Sequence, residues 1–247
     1  MAKENPRKSW NGELMDVEHL ASAVEELAPA QALGTILAAN PNGCACLTSS
    51  FQAEDMVVLH LLRKRIKNLP VIFLETGYHF AQTCEFRDRI AKEWSLNLVN
   101  ALPAQTVPEQ ESAFGILYRS DPTRCCQMRK VEPLMRSLEP FDIWFTGLRR
   151  EQSPTRKNLK KVELHRLPTG KALWKISLLA DWRWPQVWEY TQANRIGHLP
   201  QYDEGYLSIG CEPCTALPAD PNNPRSGRWG GTKLECGIHT FSQRTDG

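Results

Sequence analysis

Helical stretches with one apolar face alternate with short apolar runs along the N-terminal half of the chain. The helical stretches are residues 16–27, 31–38, 56–66 and 79–94, and the apolar runs are residues 43–48, 70–74 and 96–102. Runs of that length predict buried strands, and the alternation predicts an α/β fold with a parallel, twisted sheet flanked by helices. In such a sheet, ligands bind at the carboxyl ends of the strands.

The pattern changes in the C-terminal half of the chain. The predicted elements there are a helix over residues 131–138, strands over 141–147 and 173–178, and a helix over 184–195. Three prolines and three glycines then fall between residues 217 and 231, a density at which no packed element is expected. The sequence therefore predicts an α/β domain over residues 1–216 and a mobile tail over residues 217–247.

Acidic and basic residues are nearly balanced in this chain. Its 247 residues include 30 lysines and arginines against 28 acidic residues, for a formal net charge of +2. This balance excludes a general polyanion-binding protein, so no nucleic-acid partner is expected. The basic residues concentrate instead at 149–161 and 225–233, which indicates a small anionic ligand.

The sequence predicts neither a membrane span nor a secretion signal. No apolar run approaches the roughly 20 residues of a membrane helix, and residues 1–11 are polar and charged. Eight cysteines without a secretion signal favour a reducing compartment, where thiols serve as ligands or catalysts. A cytoplasmic location is the expectation.

The adjacent thiols of Cys125 and Cys126 restrict the chemistry that this part of the chain can perform. Consecutive Cα atoms lie about 3.8 Å apart, which is too close for the usual disulfide. A single zinc ion usually takes paired ligands two to four residues apart. A cluster of several iron atoms suits the pair better, since each thiolate can bind a different iron. The alternative is two buried cysteines beside a solvated basic turn.

A second cysteine pair makes the iron cluster the favoured interpretation. Iron–sulfur clusters are normally held by four thiolates, and Cys211 and Cys214 supply two more in a Cys-x-x-Cys pattern. A site with four thiolates is anionic, and the basic residues Arg124, Arg129 and Lys130 stand where they can offset its charge.

Cys236 is predicted to be a nucleophile. It lies on the tail, with Arg228 and His239 nearby in the sequence. Positive neighbours favour the thiolate, which is the nucleophilic form of cysteine. The alternative is an idle thiol on the tail. No uncommitted cysteine lies close by in the sequence to resolve a covalent intermediate, so the reductant is expected to be another molecule.

Two loops at the expected ligand edge are candidate anion sites. Residues 49–55 join a strand to a helix, where free backbone N–H groups and the helix dipole attract anions, although many such turns bind nothing. The basic loop 148–157 follows another strand and falls on the same edge. The other cysteines are interpreted as small core residues and most histidines as structural: Cys44, Cys46, Cys84, His19, His60, His79, His165 and His198.

Five motifs occur together in one order. They are Ser-Phe-Gln-Ala-Glu-Asp at 50–55, Leu-Glu-Thr-Gly at 74–77, Cys-Cys-x-x-Arg-Lys at 125–130, an arginine-rich Gln-Ser-Pro loop at 149–157 and Glu-Cys-Gly-Ile-His at 235–239. Each motif alone is weak, and the ordered set is specific. From about Cys44 to its C-terminus, the chain resembles the assimilatory adenylylsulfate reductases of the phosphoadenylylsulfate reductase family.

The resemblance implies a Rossmann-like fold of the adenine nucleotide α-hydrolase type. It also implies a [4Fe-4S] cluster on the four paired cysteines, Cys236 as the thiol nucleophile, and thioredoxin or a glutaredoxin-like dithiol as the reductant. A homo-oligomer is compatible with it. The substrate-binding positions that it implies are Ser50, Leu74, Thr76, Lys130, Gly147, Arg156, Arg225, Arg228 and His239.

The implied reaction converts adenylylsulfate to sulfite and AMP through a cysteine S-sulfonate. Relatives restricted to the 3′-phosphorylated substrate typically lack the four cysteines, but some cluster-bearing members resemble both groups, so use of that substrate or of both is the alternative. An ATP-using adenylyl-transfer enzyme of this fold would need a Ser-Gly-Gly-x-Asp-Ser loop, which is replaced here by Ser-Ser-Phe-Gln-Ala-Glu-Asp. A non-enzymatic iron–sulfur or zinc sensor would have no need of Cys236.

Overall fold

A six-stranded sheet forms the centre of the molecule. The computed structural model describes residues 13–220, 223–233 and 235–239. The strands are β1 (Ala45–Thr48), β2 (Pro70–Leu74), β3 (Asn97–Ala101), β4 (Ile143–Phe145), β5 (Val162–Arg166) and β6 (Ala172–Ile176). Their order across the sheet is β3-β2-β1-β4-β6-β5, and all neighbours are parallel except β5 and β6. The predicted α/β fold with a mostly parallel sheet is confirmed.

Helices flank this sheet on both faces. They are α1 (Glu13–Val24), α2 (Pro29–Ala39), α3 (Ala53–Leu62), α4 (Ala81–Glu93), α5 (Val107–Phe114), α6 (Leu117–Ser120), α7 (Pro122–Cys126), α8 (Glu132–Leu138) and α9 (Trp184–Ala193). In the part of the chain that the structure describes, no helix is long and apolar enough to cross a membrane.

The strands feed two separate cores because successive residues of a strand point to opposite faces of the sheet. On β2, Val71 and Phe73 face the larger core, to which α1, α2 and α3 contribute, and Ile72 faces the smaller core beside α8. On β4, Trp144 faces the smaller core and Phe145 the larger. Strands buried on both faces must be apolar throughout, which is why they stand out in the sequence.

Two differences from the predicted elements matter for the site. Helix α3 begins at Ala53 rather than at residue 56, so Asp55 lies in its first turn. The predicted helix over residues 131–138 is the last part of a longer helical stretch: the cysteine pair ends α7, and the chain continues through a π-helical turn, Gln127–Val131, into α8. The antiparallel edge strand β5 is not among the predicted elements.

The segment after Leu217 packs onto the rest of the molecule where the structure describes it. A short 3-10 helix, Trp229–Gly231, forms there, and Arg228 and Thr215 make an isolated β-bridge. Arg228 and Trp229 are both buried. The expectation that no packed element forms after residue 217 is therefore wrong, while the mobility of the tail stays a prediction. Residues 221–222, 234 and 240–247 of the predicted tail lie outside the described residues.

Candidate active site

A cavity of about 430 Å³ lies at the carboxyl ends of β1, β2 and β4. It is lined by Thr48 and Leu74, the last residues of β1 and β2, and by Thr146, which directly follows β4. Residues of the tail, among them Arg225 and Cys236, line its other side. The volume is in the range of small-molecule sites, and the position is the one at which a parallel sheet binds its ligands.

A carboxylate holds the turn between β1 and α3. Asp55 Oδ2 accepts hydrogen bonds from the Ser50 backbone N–H at 2.6 Å and from the Ser50 hydroxyl at 2.7 Å. Burial raises the pKa of Asp55 to about 6, although the hydrogen bonds from Ser50 act against that shift. Gly147 lies against the same carboxylate, which leaves no room for a side chain at position 147. Ser50 and Gly147, both predicted to bind substrate, line the cavity at this corner.

A buried ion pair supports the cavity wall beside this corner. Arg149 donates from Nη2 and Nε to Glu54 Oε1 at 2.8 Å and 3.0 Å, and Gln152 donates to the same oxygen at 2.9 Å. All three residues line the cavity. None of them is among the predicted site residues, although Glu54 belongs to the motif at 50–55 and the other two to the arginine-rich loop.

Four cations that were predicted to bind substrate line the cavity: Lys130, Arg156, Arg225 and Arg228. They come from three separate segments, namely the π-helical turn, the loop after β4 and the tail. Arg228 is buried and donates to the carbonyl oxygen of Cys214 at 3.3 Å. Several positive groups around one cavity favour a small, multiply charged anion.

The strap, which we define as residues 235–239, closes the tail side of the cavity. The ring of His239 stacks on Trp144 with centroids 5.6 Å apart. Gly237 has φ of 100°, a left-handed conformation that favours glycine. In this conformation the strap places both Cys236, the predicted nucleophile, and His239 on the cavity wall.

The four predicted metal ligands share one small cavity beside the larger one. Cys125, Cys126, Cys211 and Cys214 all contribute to its walls, and all four are buried. Among the described residues, no group of three or more His, Cys, Asp or Glu side chains is placed to hold a single metal ion. Four cysteine sulfurs around one cavity fit a cluster of several metal atoms, in which each sulfur binds a different atom.

Lys130 and Trp229 separate the two cavities, since both residues line each of them. Lys130 lies in the π-helical turn that directly follows Cys126, and such turns within helices are frequent at functional sites. Cys236 packs against the cluster of buried side chains that contains Cys126. The predicted nucleophile therefore lies next to the predicted metal site.

The four cysteines are electrostatically unfavourable neighbours. Burial, and after it the charges of the other cysteines, raise the pKa of Cys125 to about 11, and burial also raises the pKa of Cys126 and Cys214. Burial by itself lowers the pKa of Lys130, but Cys211 and Cys126 outweigh it and raise that pKa above its ordinary value. Four deprotonated sulfurs in this place require positive charge, which a bound metal supplies.

Thr76 lies at the cysteine site, although it was predicted to bind the substrate. The walls described for the larger cavity do not include it. Its buried hydroxyl lies 3.3 Å from Cys211 Sγ, and its carbonyl oxygen accepts a hydrogen bond from Arg129. The motif at 74–77 is thus divided, because Leu74 lines the larger cavity and Thr76 contacts a cysteine of the smaller one.

The remaining cysteines differ in exposure. Cys46 is a buried core residue, as expected, and Cys84 is half-buried. The interpretation of Cys44 as a core residue is wrong, since it is exposed. His79 lines the larger cavity, and its Nε2 lies 2.9 Å from the carbonyl oxygen of Leu74, so it also fixes the end of β2.

Comparison with known proteins agrees with this geometry. A family model described as the phosphoadenosine phosphosulfate reductase domain matches residues 45–217, more than half of the chain. The chain belongs to the phosphoadenosine phosphosulfate reductase family. The resemblance carried by the five motifs is thereby confirmed.

Curated relatives of the chain carry two different substrate names. The adenosine 5′-phosphosulfate reductase of Rhodococcus erythropolis is 42% identical over 188 residues, which is 75% of each chain. The protein of that name from Mycobacterium tuberculosis is 44% identical over 75% of this chain and 72% of its own. The phosphoadenosine 5′-phosphosulfate reductase of Gloeobacter violaceus is 40% identical over 90% of this chain and 93% of its own.

Solved structures confirm the fold type. The phosphoadenylyl-sulfate reductase of Candida auris, solved as a phosphate complex, has a TM-score of 0.69 and 27% identity, over 81% of this chain and 96% of its own. The FMN adenylyltransferase of Candida glabrata has a TM-score of 0.56 at 14% identity, over 89% of this chain and 70% of its own. At that identity, the second likeness concerns the fold alone.

Proposed function

We propose that this protein reduces adenylylsulfate to sulfite and AMP, with thioredoxin or a glutaredoxin-like dithiol as the reductant. One observation carries the proposal: the Cys236 thiol lines the same cavity as Ser50, Gly147 and the four predicted cations. Curated relatives at 40–44% identity are named as reductases of sulfated adenine nucleotides. Eight free cysteines suit a reducing compartment such as the cytoplasm.

The two ends of the substrate differ in charge, and so do the two sides of the cavity. The adenosine would lie at the strand ends, near Ser50, Leu74 and Gly147. The phosphosulfate would lie among the positive groups and the strap. The residues proposed to bind it are Lys130, Arg156, Arg225, Arg228 and His239. The phosphate complex of the Candida auris relative supports anion binding in this family.

The first step is an attack by the Cys236 thiolate on the sulfur of the sulfate group. A bond forms between Cys236 Sγ and that sulfur, and the bond from the sulfur to the bridging oxygen breaks. AMP leaves with the electron pair, and Cys236 carries an S-sulfonate. Lys130 and Arg228 stabilise the negative charge that develops on the leaving phosphate.

The reductant completes the reaction by two thiol exchanges. One of its thiolates attacks Cys236 Sγ, and sulfite leaves with the electron pair of the broken sulfur–sulfur bond. A mixed disulfide then joins the two proteins. The second thiolate of the reductant then attacks the reductant's sulfur in this mixed disulfide. An intramolecular disulfide forms in the reductant, and Cys236 leaves as a thiolate. Two electrons have then passed from the dithiol to the sulfur that leaves as sulfite.

The four buried cysteines would hold a [4Fe-4S] cluster. Its ligands would be Cys125, Cys126, Cys211 and Cys214. When bound, the cluster supplies rigidity and negative charge beside Lys130, since two-electron thiol chemistry needs no one-electron carrier. The 3.3 Å contact between the Thr76 hydroxyl and Cys211 Sγ supports a role for Thr76 in orienting that ligand.

The charges around the cavity support adenylylsulfate over its 3′-phosphorylated form. The described cavity wall carries five lysines and arginines, and four of them, Lys130, Arg156, Arg225 and Arg228, are already proposed to bind the phosphosulfate. The fifth, Arg149, is held by Glu54 in a buried ion pair. No additional cation is left there for a 3′-phosphate. The 3′-phosphorylated form is the second candidate, because the Gloeobacter relative of that name aligns with 90% of this chain.

Sulfite release tests both candidates. The cluster-containing protein is supplied with reduced thioredoxin and with either nucleotide. We expect kcat/KM to be higher for adenylylsulfate, on the order of a hundredfold, because a site without a partner for an added charged group discriminates strongly. A higher kcat/KM for the 3′-phosphorylated form assigns the chain to the second candidate. No sulfite from either nucleotide contradicts the proposed function.

A further inference from the structure

The carboxylate of Glu235 joins the strap to the loop after β4. It accepts two parallel hydrogen bonds from Arg156, from Nε to Oε1 at 2.9 Å and from Nη2 to Oε2 at 2.7 Å. The Thr155 hydroxyl donates to Oε1 at 3.0 Å, and Arg225 Nη2 lies 3.7 Å from Oε2. The Glu235 side chain is only 9% exposed. Glu235 is therefore bound firmly to the loop.

The charges around Glu235 keep it ionised. Burial by itself raises the pKa of Glu235, but the charge and hydrogen bonds of Arg156, followed by the charge of Arg225, hold the pKa below its ordinary range. Bidentate arginine–carboxylate pairs are strong and have a fixed geometry. Removing one partner of such a buried pair leaves the other charge uncompensated, which is costly.

The strap is held on both sides of Cys236. On one side, Glu235 directly precedes the nucleophile and is bound to Arg156. On the other side, Lys175 donates to the carbonyl oxygen of His239 at 3.3 Å, and the His239 ring stacks on Trp144. Two fixed points that flank one residue restrict its position more than either point alone.

The guanidinium of Arg156 is itself fixed from two directions. Its Nη1 donates to Gln152, while Nε and Nη2 donate to Glu235, and Arg156 still lines the cavity. If Glu235 only competed with the substrate for Arg156, its negative charge would be sufficient for that role. The additional hydrogen bond from the Thr155 hydroxyl and the second attachment of the strap at His239 indicate instead that Glu235 restrains the position of the strap.

We infer that Glu235 is a positioning residue, whose ion pair with Arg156 holds the strap closed so that Cys236 faces the sulfur of the bound substrate. The inference rests on the proposed function and extends it, because the same arginine that meets the phosphosulfate also fixes the segment of the nucleophile. Release of Glu235 from Arg156 frees the strap, which lets the S-sulfonate on Cys236 reach a protein reductant.

Alkylation of Cys236 tests the restraint without substrate. In the full-length, cluster-containing protein, Glu235→Gln keeps the size of the side chain and removes its charge. Treatment with iodoacetamide, followed by peptide mass spectrometry, should show Cys236 alkylated about tenfold faster than in the wild type, since a charged hydrogen-bonded pair is lost. The exposed Cys44 is the reference within the same chain, and its rate should not change.

Single-turnover kinetics test the positioning during the reaction. With adenylylsulfate and no reductant, the rate of S-sulfonate formation at saturating substrate should fall about tenfold in Glu235→Gln, while AMP affinity stays unchanged. Glu235→Asp, which restores the charge, should recover part of the rate. The control is Glu93→Gln on α4, which removes the same charge from a side chain that is 54% exposed and should leave both rates unchanged.

The outcomes separate this inference from the proposed function. Tighter adenylylsulfate binding in Glu235→Gln, with an unchanged rate at saturation, would mean that Glu235 only competes with the substrate. Equal alkylation and adduct rates in wild type and Glu235→Gln overturn the inference and leave the proposed function standing. A wild type that forms no adduct on Cys236 overturns both. Thr155→Val removes one hydrogen bond to the same carboxylate, so a smaller acceleration of Cys236 alkylation is expected.

Discussion

The proposed chemistry depends on one sulfur atom that lies between two cavities, because Cys236 lines the larger one and packs against the buried cysteines of the smaller. Serine at this position keeps the size of the side chain but is a far weaker nucleophile at neutral pH. We expect Cys236→Ser to lower sulfite release by at least about 10³-fold, while AMP binding and iron content stay at wild-type levels. Substantial remaining turnover, or a sulfonate on another cysteine of the wild type, would contradict the mechanism.

Asp55 should make the stability of the protein depend on pH. Its pKa in the folded protein is raised by burial to about 6, above the ordinary value of 3.8, so it favours the folded state when protonated. That contribution is present below about pH 4 and is lost as the pH rises through about 6. The Asn variant does not titrate. Relative to the wild type, the free energy of unfolding of Asp55→Asn should therefore rise by about 2 kcal/mol between pH 4 and pH 7.

Denaturant unfolding at a series of pH values measures this difference. The control is Asp88→Asn, because hydrogen bonding to Arg87 lowers the pKa of Asp88 and the side chain is 62% exposed. A lowered pKa stabilises the folded state above the ordinary pKa, so the control should shift in the opposite direction and by much less. A flat difference between Asp55→Asn and the wild type would show that Asp55 titrates normally.

The residues that line the cavity could be singled out where they lie in local sequence motifs. Ser50, Gly147 and Cys236 each lie in a short motif, and all three line the cavity. The Glu54–Arg149 pair joins residues 95 positions apart, which no local pattern reveals. The contact between Thr76 and Cys211 could not be predicted, because the motif at 74–77 contains the boundary between the two cavities and only side-chain direction distinguishes them.

At the scale of elements, the cysteine site combines two short helical turns. Cys126 ends α7, Cys211 directly precedes the 3-10 turn Glu212–Cys214, and Cys214 is the last residue of that turn. Neither turn alone could hold four thiolates.

Replacing any of the four paired cysteines with serine should remove the cluster and with it the activity. Wild-type protein prepared without oxygen should contain about four irons and four sulfides per chain. A colourless, fully active protein with one zinc would exclude the iron cluster.

The junction between β4 and the loop after it should not tolerate a side chain. An added Cβ at Gly147 would overlap the Asp55 carboxylate and press on its backbone. We expect Gly147→Ala to cost about 1–3 kcal/mol of stability and to weaken AMP binding, because the turn held by Asp55 must move. Calorimetry and thermal unfolding measure both effects.

The control for this substitution is Gly34→Ala in α2. An added Cβ at Gly34 meets nothing within 4 Å, and alanine favours a helix over glycine. This variant should therefore be neutral or more stable, with unchanged AMP binding. Equal behaviour of the two variants would show that the contact between Gly147 and Asp55 does not shape the nucleotide corner.

Strands that are buried on both faces could be predicted well from the sequence, and the strand at the edge of the sheet could not. Strand β2 matches its prediction because an unbroken apolar run has few alternatives. Strand β5 pairs with a single neighbour at the edge of the sheet, and it carries polar residues among its apolar ones. Its weak alternation of apolar and polar residues was the available signal. The π-helical turn has no sequence signature, so the bend after Cys126 could not be foreseen.

At the scale of the whole molecule, the α/β domain supplies the hydrophobic cores, and the tail supplies residues of the candidate active site. Among the described residues, those of the two large cores lie between Val17 and Ile209, apart from Ile238 at the edge of the smaller core. The described part of the tail instead completes the site, since Arg225, Arg228 and Cys236 line the larger cavity. Proline and glycine content alone could not predict this packing, because it depends on contacts with distant parts of the chain.

A protein that ends at residue 216 should therefore fold and bind AMP but release no sulfite. Loss of the buried Trp229 side chain removes about 2 kcal/mol, which corresponds to a fall in Tm of about 4–8 °C. Because Trp229 also lines the cysteine cavity, the iron–sulfur absorbance of the shortened protein should decay faster in air than that of the wild type.

Full-length Cys236→Ser is the matched control, since it should be equally inactive and yet keep the wild-type lifetime of the cluster. If the shortened protein is unfolded, the domain boundary at 216 is wrong. If both variants lose iron at the wild-type rate, the tail does not shield the cysteine site, and its role is confined to delivering Cys236 to the substrate.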